Sequence, residues 1–217
     1  MPELKRDQIK NLSDEEIIAE VKAGKIEYFS QIVKRYNQRM YRIAVSYGVY
    51  DDDCEEVIQS AYISAYEKLN QFRGEAKFST WLIRILINEC LMMKRKKKKA
   101  QNLFDENVTF SAGDHLNPER EYMNKERKEI LETAIKKLPE KYRTVYILKE
   151  VEGMSIEEAS GALAISKVNV KVRLHRAKSM LKDILRNITD VSSLFMFGNE
   201  RCDRVNNAVM SYIRKKK

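Results

Sequence analysis

Residues 155–186 read SIEEASGALAISKVNVKVRLHRAKSMLKDILR, and this stretch decides the architecture. Ser155, with Glu158 three positions later, forms a capping box that begins a short helix over 156–163. The connection 164–166 then leads into a longer basic helix from about Lys167 to Arg186. A short helix, a tight turn and a longer basic helix are typical of a helix-turn-helix unit, whose second helix enters the DNA major groove.

The long helix has two chemically different sides when it is drawn at 100° per residue. One side is an apolar stripe that we expect to pack on its domain: Val170, Leu174, Ala177, Leu181 and Ile184. The opposite side presents Val168, Val172, His175 and Ser179, flanked by Lys171 and Arg176. Arg176 can donate two bonds to a guanine edge, and Val172 can touch a thymine methyl. Farther along the helix, Lys178, Lys182 and Arg186 suit phosphate contacts. The alternative interpretation is a solvated basic face.

Composition favours an all-α fold. The chain has 217 residues, of which 34% are charged, with only seven Gly and three Pro, too few for a turn-rich β-barrel or sandwich. The net charge is +9, which predicts a polyanionic partner. On charge alone, nucleic acid and an anionic membrane surface both remain open.

We expect a cytoplasmic protein without membrane insertion or cofactors. The chain begins Met1-Pro-Glu-Leu-Lys, with no apolar signal segment, and no run approaches the roughly 18 apolar residues of a membrane span. Cys54, Cys90 and Cys202 are odd in number and lack metal-ligand spacing, so we interpret them as reduced thiols.

Hydrophobic periodicity predicts two small helical domains joined by a flexible linker. The first domain spans 10–99 and contains four helices, the last carrying Phe78, Trp81, Leu82, Ile85, Leu86 and Met92. The linker spans 100–117, where periodicity is lost, and Asn117-Pro118 predicts the start of the next helix. The helix-turn-helix domain spans 118–187. An extension over 188–217, whose role stays open, includes a further helix near 202–213.

Aromatic, cationic and amide side chains are interleaved over residues 72–88. By helical spacing, Asn88 projects on the same side as Trp81 and Arg84. Aromatics beside arginine and asparagine can hold an unstacked base by stacking and edge hydrogen bonds. The alternative is that these aromatics are simply core, and we expect Trp81 to be at least partly core.

Nothing in the sequence predicts an enzyme. The carboxylates Asp51, Asp52, Asp53, Glu55 and Glu56 form one consecutive run, whereas metal-dependent nucleases need carboxylates that converge from several elements. A helix-dipole complement and a protein-docking face explain the run better. The basic run 94–99 is interpreted as a phosphate-attracting patch or a solvated helix end.

Several motifs together resemble the extracytoplasmic-function sigma factors of bacterial RNA polymerase. The motifs in the first domain are IVKRY at 32–36, DCEEVIQ at 53–59 and FRGE with FSTWLIRI at 72–85. Those in the second are LPEKYR at 138–143, EGMSIEE at 152–158 and NVKVRLHRA at 169–177. The resemblance covers about residues 13 to 186.

The resemblance implies three sets of site residues. It implies that Asp53, Glu56 and Gln59 dock on the clamp helices of RNA polymerase. It implies that the melted −10 element is bound by Arg73, Lys77, Ser79, Thr80, Arg84 and Asn88. It implies that the −35 duplex is bound by Asn169, Lys171, Val172, His175, Arg176 and Lys178. Core RNA polymerase and promoter DNA are therefore the expected partners, and an anti-sigma factor is a further candidate.

Two positions depart from the family pattern. Ser60 stands where an acid is usual, and Val172 stands where a small polar residue is common. The departure at Ser60 leaves individual polymerase contacts open, and the departure at Val172 leaves the promoter sequence open.

The alternative function is a free-standing helix-turn-helix regulator, which would leave the group of Trp81 and Asn88 unused. A membrane-surface protein would need an exposed apolar face, and a nuclease would need a convergent acidic site.

Overall fold

The computed structural model describes residues 12–101, 122–185 and 199–216. Within these ranges the chain is helical and contains no strand, which confirms the all-α prediction. Asn117-Pro118, most of the predicted linker and the start of the extension lie outside the described residues. Two residues assigned to the linker, Ala100 and Gln101, belong instead to the last turn of a helix.

Four α-helices form the described part of the first half of the chain. They are α1 (Asp14–Lys22), α2 (Phe29–Ser46), α3 (Asp51–Glu67) and α4 (Phe78–Gln101), with single 3-10 turns at Ile26–Tyr28 and Leu69–Gln71. Ser13 caps α1 through a reciprocal capping box with Glu16, which stands three positions later as in the Ser-x-x-Glu motif. Three acidic residues begin α3, where carboxylates favour the positive end of the helix dipole.

The second half contains the helix-turn-helix unit. Its elements are α5 (Tyr122–Lys136), α6 (Glu140–Tyr146), a π-helical turn (Ile147–Val151), α7 (Ile156–Leu163) and α8 (Lys167–Ile184). A ninth helix, α9 (Asn199–Lys215), follows in the predicted extension.

The core of the first half is formed by apolar stripes of α2, α3 and α4. Phe29, Tyr62, Phe78, Leu82 and Leu86 are each at most 1% exposed. Phe29 and Tyr62 meet edge to face with ring centroids 6.5 Å apart. This ring contact joins α2 to α3.

Polar contacts join the two halves. The Arg143 guanidinium of α6 is buried and donates from Nε to the Ser46 carbonyl at the end of α2 (2.7 Å) and from Nη1 to the Lys136 carbonyl (2.8 Å). Glu152, whose side chain is 2% exposed, accepts from Arg39 at 2.7 Å and from Arg42. These contacts hold the helix-turn-helix unit against α2.

The last described helix returns to the first half and packs on α2 and α3. Val205, Val209, Met210 and Ile213 of α9 are each at most 5% exposed. The extension, to which the sequence assigned no role, therefore contributes to the core of the first half. Among the described residues, no helix is long and apolar enough to cross a bilayer.

Candidate nucleic-acid interface

The helix-turn-helix unit has the local geometry that its sequence predicts. Ser155 caps α7, and its side chain accepts from the Glu158 amide while the Glu158 carboxylate accepts from the Ser155 amide (2.7 Å). Ser166 caps α8 in turn. Between the two helices, Ala164 adopts a left-handed conformation (φ 52°), which an alanine enters at a steric cost. The sharp turn therefore depends on a strained residue.

The packed side of α8 is close to the predicted stripe. Val170, Ala177 and Leu181 are at most 1% exposed, and Leu174 is half-buried. Ile184 was predicted to continue the stripe, and this is wrong, because it is 47% exposed. Leu181 is the last fully buried residue of α8, and the half-buried Leu185 at its C-cap packs against the core where Ile184 does not.

The opposite side of α8 faces solvent as predicted. Lys171, Val172, His175 and Arg176 are all exposed, and the hydrophobic Val172 side chain remains 44% exposed. Val168 is 70% exposed at the start of the same side. This outward surface is basic and apolar, a combination that suits a DNA major groove.

Three of the predicted duplex-binding side chains already have protein partners. The Asn169 side chain accepts from Arg173 Nε at 2.9 Å, and Lys178 pairs with Glu150 at 2.8 Å. Arg176 Nη1 donates to the Tyr142 hydroxyl at 3.3 Å, a bond that lowers the pKa of Tyr142. Tyr142 lies 34 residues away on α6, so no local sequence signal could have indicated that it orients Arg176.

An aromatic pocket lies at the start of α4. The rings of Phe72, Phe78 and Trp81 pack with centroids 5.3–5.6 Å apart. A pocket of about 730 Å³ opens beside them, and its lining residues are Asn70, Gln71, Phe72, Arg73, Gly74, Glu75, Ala76, Thr80, Trp81, Arg84 and Gly161. Phe78 is core, whereas Trp81 is half-buried and reaches the pocket, as expected of a partly core ring.

The face of α4 that carries Arg84 and Asn88 is open to solvent. Both side chains are exposed, and Trp81 lies on the same side of the helix, one turn before Arg84. Asn88 is not among the residues that line the pocket. The structure thus brings Arg73, Thr80 and Arg84 together at the pocket and places Asn88 one turn farther along α4.

Helix α7 covers part of this predicted single-strand site. Thr80 is only 6% exposed, and a Cβ added to Gly161 of α7 would lie 3.9 Å from its Cγ2. Lys77 pairs with Glu158 of α7 at 2.8 Å, and Ser79 is half-buried. Within the described part of the chain, the buried Thr80 Oγ1 has no hydrogen-bond partner. In this arrangement Thr80 is covered by protein and Lys77 is exposed but paired with Glu158, whereas Arg73, Arg84 and Asn88 face solvent.

Of the three residues on the acidic helix α3 that are expected to dock on RNA polymerase, only one is fully exposed. Glu56 is exposed, Gln59 is half-buried, and Asp53 contacts Lys97 of α4. A second pocket of about 370 Å³ is lined by Asp53 and Glu56 but not by Gln59, and its other lining residues are Val57, Ser60, Glu89, Met92, Met93, Lys96 and Lys97.

Met92 is a candidate interface residue that sequence reasoning missed. It was predicted to belong to the apolar stripe, but it is 54% exposed and faces the second pocket. An exposed thioether flanked by carboxylates and lysines suits protein contact. Its position follows from the crossing of α3 and α4, which the local sequence pattern does not contain.

Metal and thiol chemistry find no support in the described residues. Across 12–101, 122–185 and 199–216, no group of histidine, cysteine and carboxylate side chains has a metal-binding arrangement. All three cysteines are free thiols, in agreement with the sequence interpretation. Burial raises the pKa of the Cys90 thiol to about 12, so this thiol stays protonated and unreactive.

Comparison with known families identifies both halves of the chain. Residues 32–100 match Sigma-70 region 2, and residues 128–181 match Sigma-70 region 4. The ECF RNA polymerase sigma factor SigW of Bacillus subtilis is 33% identical over 180 residues, covering 79% of this chain and 96% of that relative. The ECF RNA polymerase sigma-E factor of Haemophilus influenzae is 29% identical over 180 residues, covering 79% and 95%.

Solved structures share the fold. The structure of CnrH in complex with the cytosolic domain of CnrY matches with a TM-score of 0.57 at 24% identity and covers 80% of this chain and 97% of that one. The sigma factor RpoE in complex with the anti-sigma factor NepR from Bartonella quintana matches with a TM-score of 0.59 at 20% identity, covering 78% and 99%. With two region models in the expected order and a relative above 30% identity, the chain belongs to the extracytoplasmic-function family of RNA polymerase sigma factors, which are DNA-binding transcription initiation factors.

Proposed function

We propose that this chain binds core RNA polymerase and directs it to promoters by reading two DNA elements with separate surfaces. The outward side of α8 reads the −35 duplex, and the aromatic pocket with Arg84 and Asn88 holds a base of the melted −10 strand. Residues 10–99 and 118–187 are the corresponding units, joined through 100–117, and the protein acts in the cytoplasm. The observation that carries this proposal is the presence of both surfaces, each exposed, in one chain.

The −35 surface combines two kinds of contact. Lys171, Val172, His175 and Arg176 lie on the exposed N-terminal half of α8, where side chains of a recognition helix reach base edges. Lys178 and Lys182 lie farther along the exposed side and bind phosphates. Asn169 assists indirectly, because it orients Arg173 through their 2.9 Å hydrogen bond.

The −10 surface uses stacking together with charge. A flipped base stacks on the half-buried Trp81 ring at the pocket mouth, while Arg73 and Arg84 bind flanking phosphates. The exposed Asn88 amide can both donate to and accept from a base edge.

Full use of the −10 surface requires α7 to leave α4. The Lys77–Glu158 ion pair and the packing of α7, which brings Gly161 next to Thr80, close one side of the site. DNA phosphates can replace the Glu158 carboxylate as the partner of Lys77. The unbonded Thr80 hydroxyl favours this exchange, because an unsatisfied buried polar atom costs about 1–3 kcal/mol.

Core polymerase docks on the acidic face of α3 in this proposal. Glu56 and Gln59 supply polar contacts, Met92 supplies an apolar contact in the adjacent pocket, and Asp53 exchanges Lys97 for a partner cation. A regulator of the anti-sigma type is a further proposed partner, since a matched structure is a sigma factor bound to an anti-sigma factor.

Transcription in a purified system tests the proposal. Core polymerase supplemented with this protein should give transcripts from particular promoters, and core polymerase alone should not. A free-standing regulator would instead bind duplex DNA tightly without polymerase and would leave core polymerase unable to initiate. Absence of any complex between the protein and core polymerase would reject the proposal.

A further inference from the structure

Helix α9 lies on the side of α3 that adjoins the proposed polymerase contacts. Arg204 of α9 binds the Glu55 carboxylate through two nitrogens, at 2.7 and 3.2 Å, and Arg201 approaches it at 3.5 Å. At the other end of α3, Glu67 accepts from the Tyr212 hydroxyl at 2.7 Å and contacts Lys216. α9 therefore runs along α3 from Glu55, in its second turn, to Glu67 at its end.

The two helices have complementary charge. Every charged residue of α3 is acidic, whereas α9 carries Arg201, Arg204, Arg214 and Lys215 against only Glu200 and Asp203. A basic amphipathic helix thus packs along an acidic helix. The region 4 match ends at residue 181, so α9 lies beyond the part of the chain that the family models cover.

The surface occupied by α9 overlaps the proposed docking surface. Glu55 and Gln59 are four residues apart and lie on the same side of α3. Packed helices have axes 8–10 Å apart, so a polymerase helix centred on Gln59 would occupy the same space as α9. Consistent with this crowding, Glu55 is only 9% exposed and Gln59 is half-buried.

The contact between α9 and α2 leaves two buried side-chain oxygens without hydrogen-bond partners among the described residues. Asn37 of α2 is 1% exposed, and its Nδ2 donates to the Cys202 carbonyl at 3.1 Å. The Asn37 Oδ1 and the Asn206 Oδ1 are both buried, and neither has a hydrogen-bond partner among the described residues. If α9 left, water could donate hydrogen bonds to both oxygens. This hydration would offset part of the free energy that is lost when the contact between α9 and α2 breaks.

We propose that α9 is a tethered competitor of core RNA polymerase for α3 and that polymerase binds after α9 leaves. This inference rests on the proposed function and adds its regulation. When α9 is seated, Glu55, Glu67 and the side of Gln59 are occupied. When it is released, the whole acidic side of α3 becomes available to a basic partner.

A reversible cross-link tests the proposal. The Cys202 thiol contacts Asn37, so Asn37→Cys creates a pair that can be oxidised with diamide, while Cys54 and Cys90 are buried and protected. The oxidised variant should bind purified core polymerase at least ten-fold more weakly than the same protein after dithiothreitol. Wild-type protein under the same oxidant is the control. Equal affinity of the oxidised and reduced variant, with the cross-link verified by mass spectrometry, would overturn the proposal.

A charge reversal gives an independent readout that needs no cross-link. Arg204→Glu should detach α9 and raise the affinity for core polymerase several-fold. The matched control is Arg214→Glu on the same helix, which should leave the affinity unchanged because Arg214 has no ion pair with a described carboxylate. Unchanged or weaker binding by a folded Arg204→Glu protein would overturn the competition. If neither reduced Asn37→Cys nor Arg204→Glu binds core polymerase at all, the proposed function itself fails.

Discussion

Arg39 holds Glu152 by two bonds, because its Nε donates to the carboxylate and its Nη2 donates to the backbone carbonyl, each at 2.7 Å. The two residues are 113 positions apart and join α2 to the turn before α7. Arg42 contacts the same carboxylate, whose side chain is 2% exposed. Glu152 is therefore, with Arg143, one of the buried charges through which the two halves meet.

Replacement of this charge should separate the halves. Glu152→Ala removes the carboxylate that Arg39 and Arg42 share, and removing one partner of a buried pair costs about 3 kcal/mol or more. This shifts the equilibrium between joined and separated halves roughly a hundred-fold. Small-angle X-ray scattering should show a larger radius of gyration. Glu150→Ala, which breaks the exposed pair with Lys178, should leave the radius unchanged. Equal radii for wild type and Glu152→Ala would contradict the prediction.

Acid should weaken the contact of α7 with α4. The hydrogen bond from Lys77, followed by that from the Ser155 amide, lowers the pKa of Glu158 from 4.5 to about 2. A lowered pKa means that the ionised carboxylate stabilises the fold above about pH 4.5 and that this contribution disappears as the pH falls toward 2. We expect a loss on the order of 1–2 kcal/mol, since Lys77 is largely exposed and solvent screens the pair. Urea unfolding of wild type and Glu158→Gln between pH 6 and pH 2 measures it. The two curves should converge at low pH, and parallel curves would refute the assignment.

Relief of the strained turn should stabilise the helix-turn-helix unit. Ala164 has φ 52°, where glycine carries no steric penalty. Ala164→Gly removes this steric cost but gives the unfolded chain more conformational entropy. The net result should be a free energy of unfolding that is higher by about 0.5–1 kcal/mol. Ala162→Gly, in the last turn of α7, is the control and should destabilise by a similar amount. A lower melting temperature for Ala164→Gly would show that the turn is unstrained.

Loss of the Asn88 amide should impair promoter opening but not folding. Asn88 is exposed on α4, so Asn88→Ala should leave the melting temperature unchanged. Removal of the hydrogen bonds to one flipped base should cost about 1–3 kcal/mol. Permanganate footprinting of the −10 element reports the melted fraction, and Asn207→Ala is a control at another exposed amide. Full melting by the Asn88 variant would reject the role.

Arg176 and Lys182 should affect duplex binding in different ways. Arg176→Ala should cost about 1–3 kcal/mol on the preferred site and relax preference at one base pair. Lys182→Ala should weaken binding to all sequences alike. It should also reduce, by about one, the slope of the logarithm of the binding constant against the logarithm of salt concentration. Titrations of polymerase holoenzyme on a panel of −35 sequences at several salt concentrations separate the two effects. Exchange of the two phenotypes would mean that the recognition face is displaced along α8.

Local signals predicted much of this fold. The capping boxes at Ser13 and Ser155 form as the sequence indicates, and the buried residues of α8 follow its apolar stripe to Leu181. Such features depend on residues within one or two turns of each other, and the sequence therefore contains them. The prediction for Ile184 is wrong because Leu185, at the C-cap of α8, packs against the core and Ile184 turns to solvent.

Long-range polar contacts could not be predicted. Glu152 and Arg143 read as ordinary charged residues, yet both are buried by partners in the other half of the chain. The cover over Thr80 likewise depends on α7, which is distant in sequence. Each of these contacts depends on a single side chain, and so it leaves no periodic pattern in the sequence.

The return of α9 to α2 and α3 also determines the order in which the molecule is completed. α3 ends at Glu67 and α9 ends at Lys215, so 148 residues (215 minus 67) separate their synthesis. At about 5–20 residues per second, a ribosome needs roughly 7–30 s for this interval. During that time the nascent chain carries α3 without its basic cover. Chaperones or polymerase therefore meet this acidic helix before the protein's own C-terminal segment does.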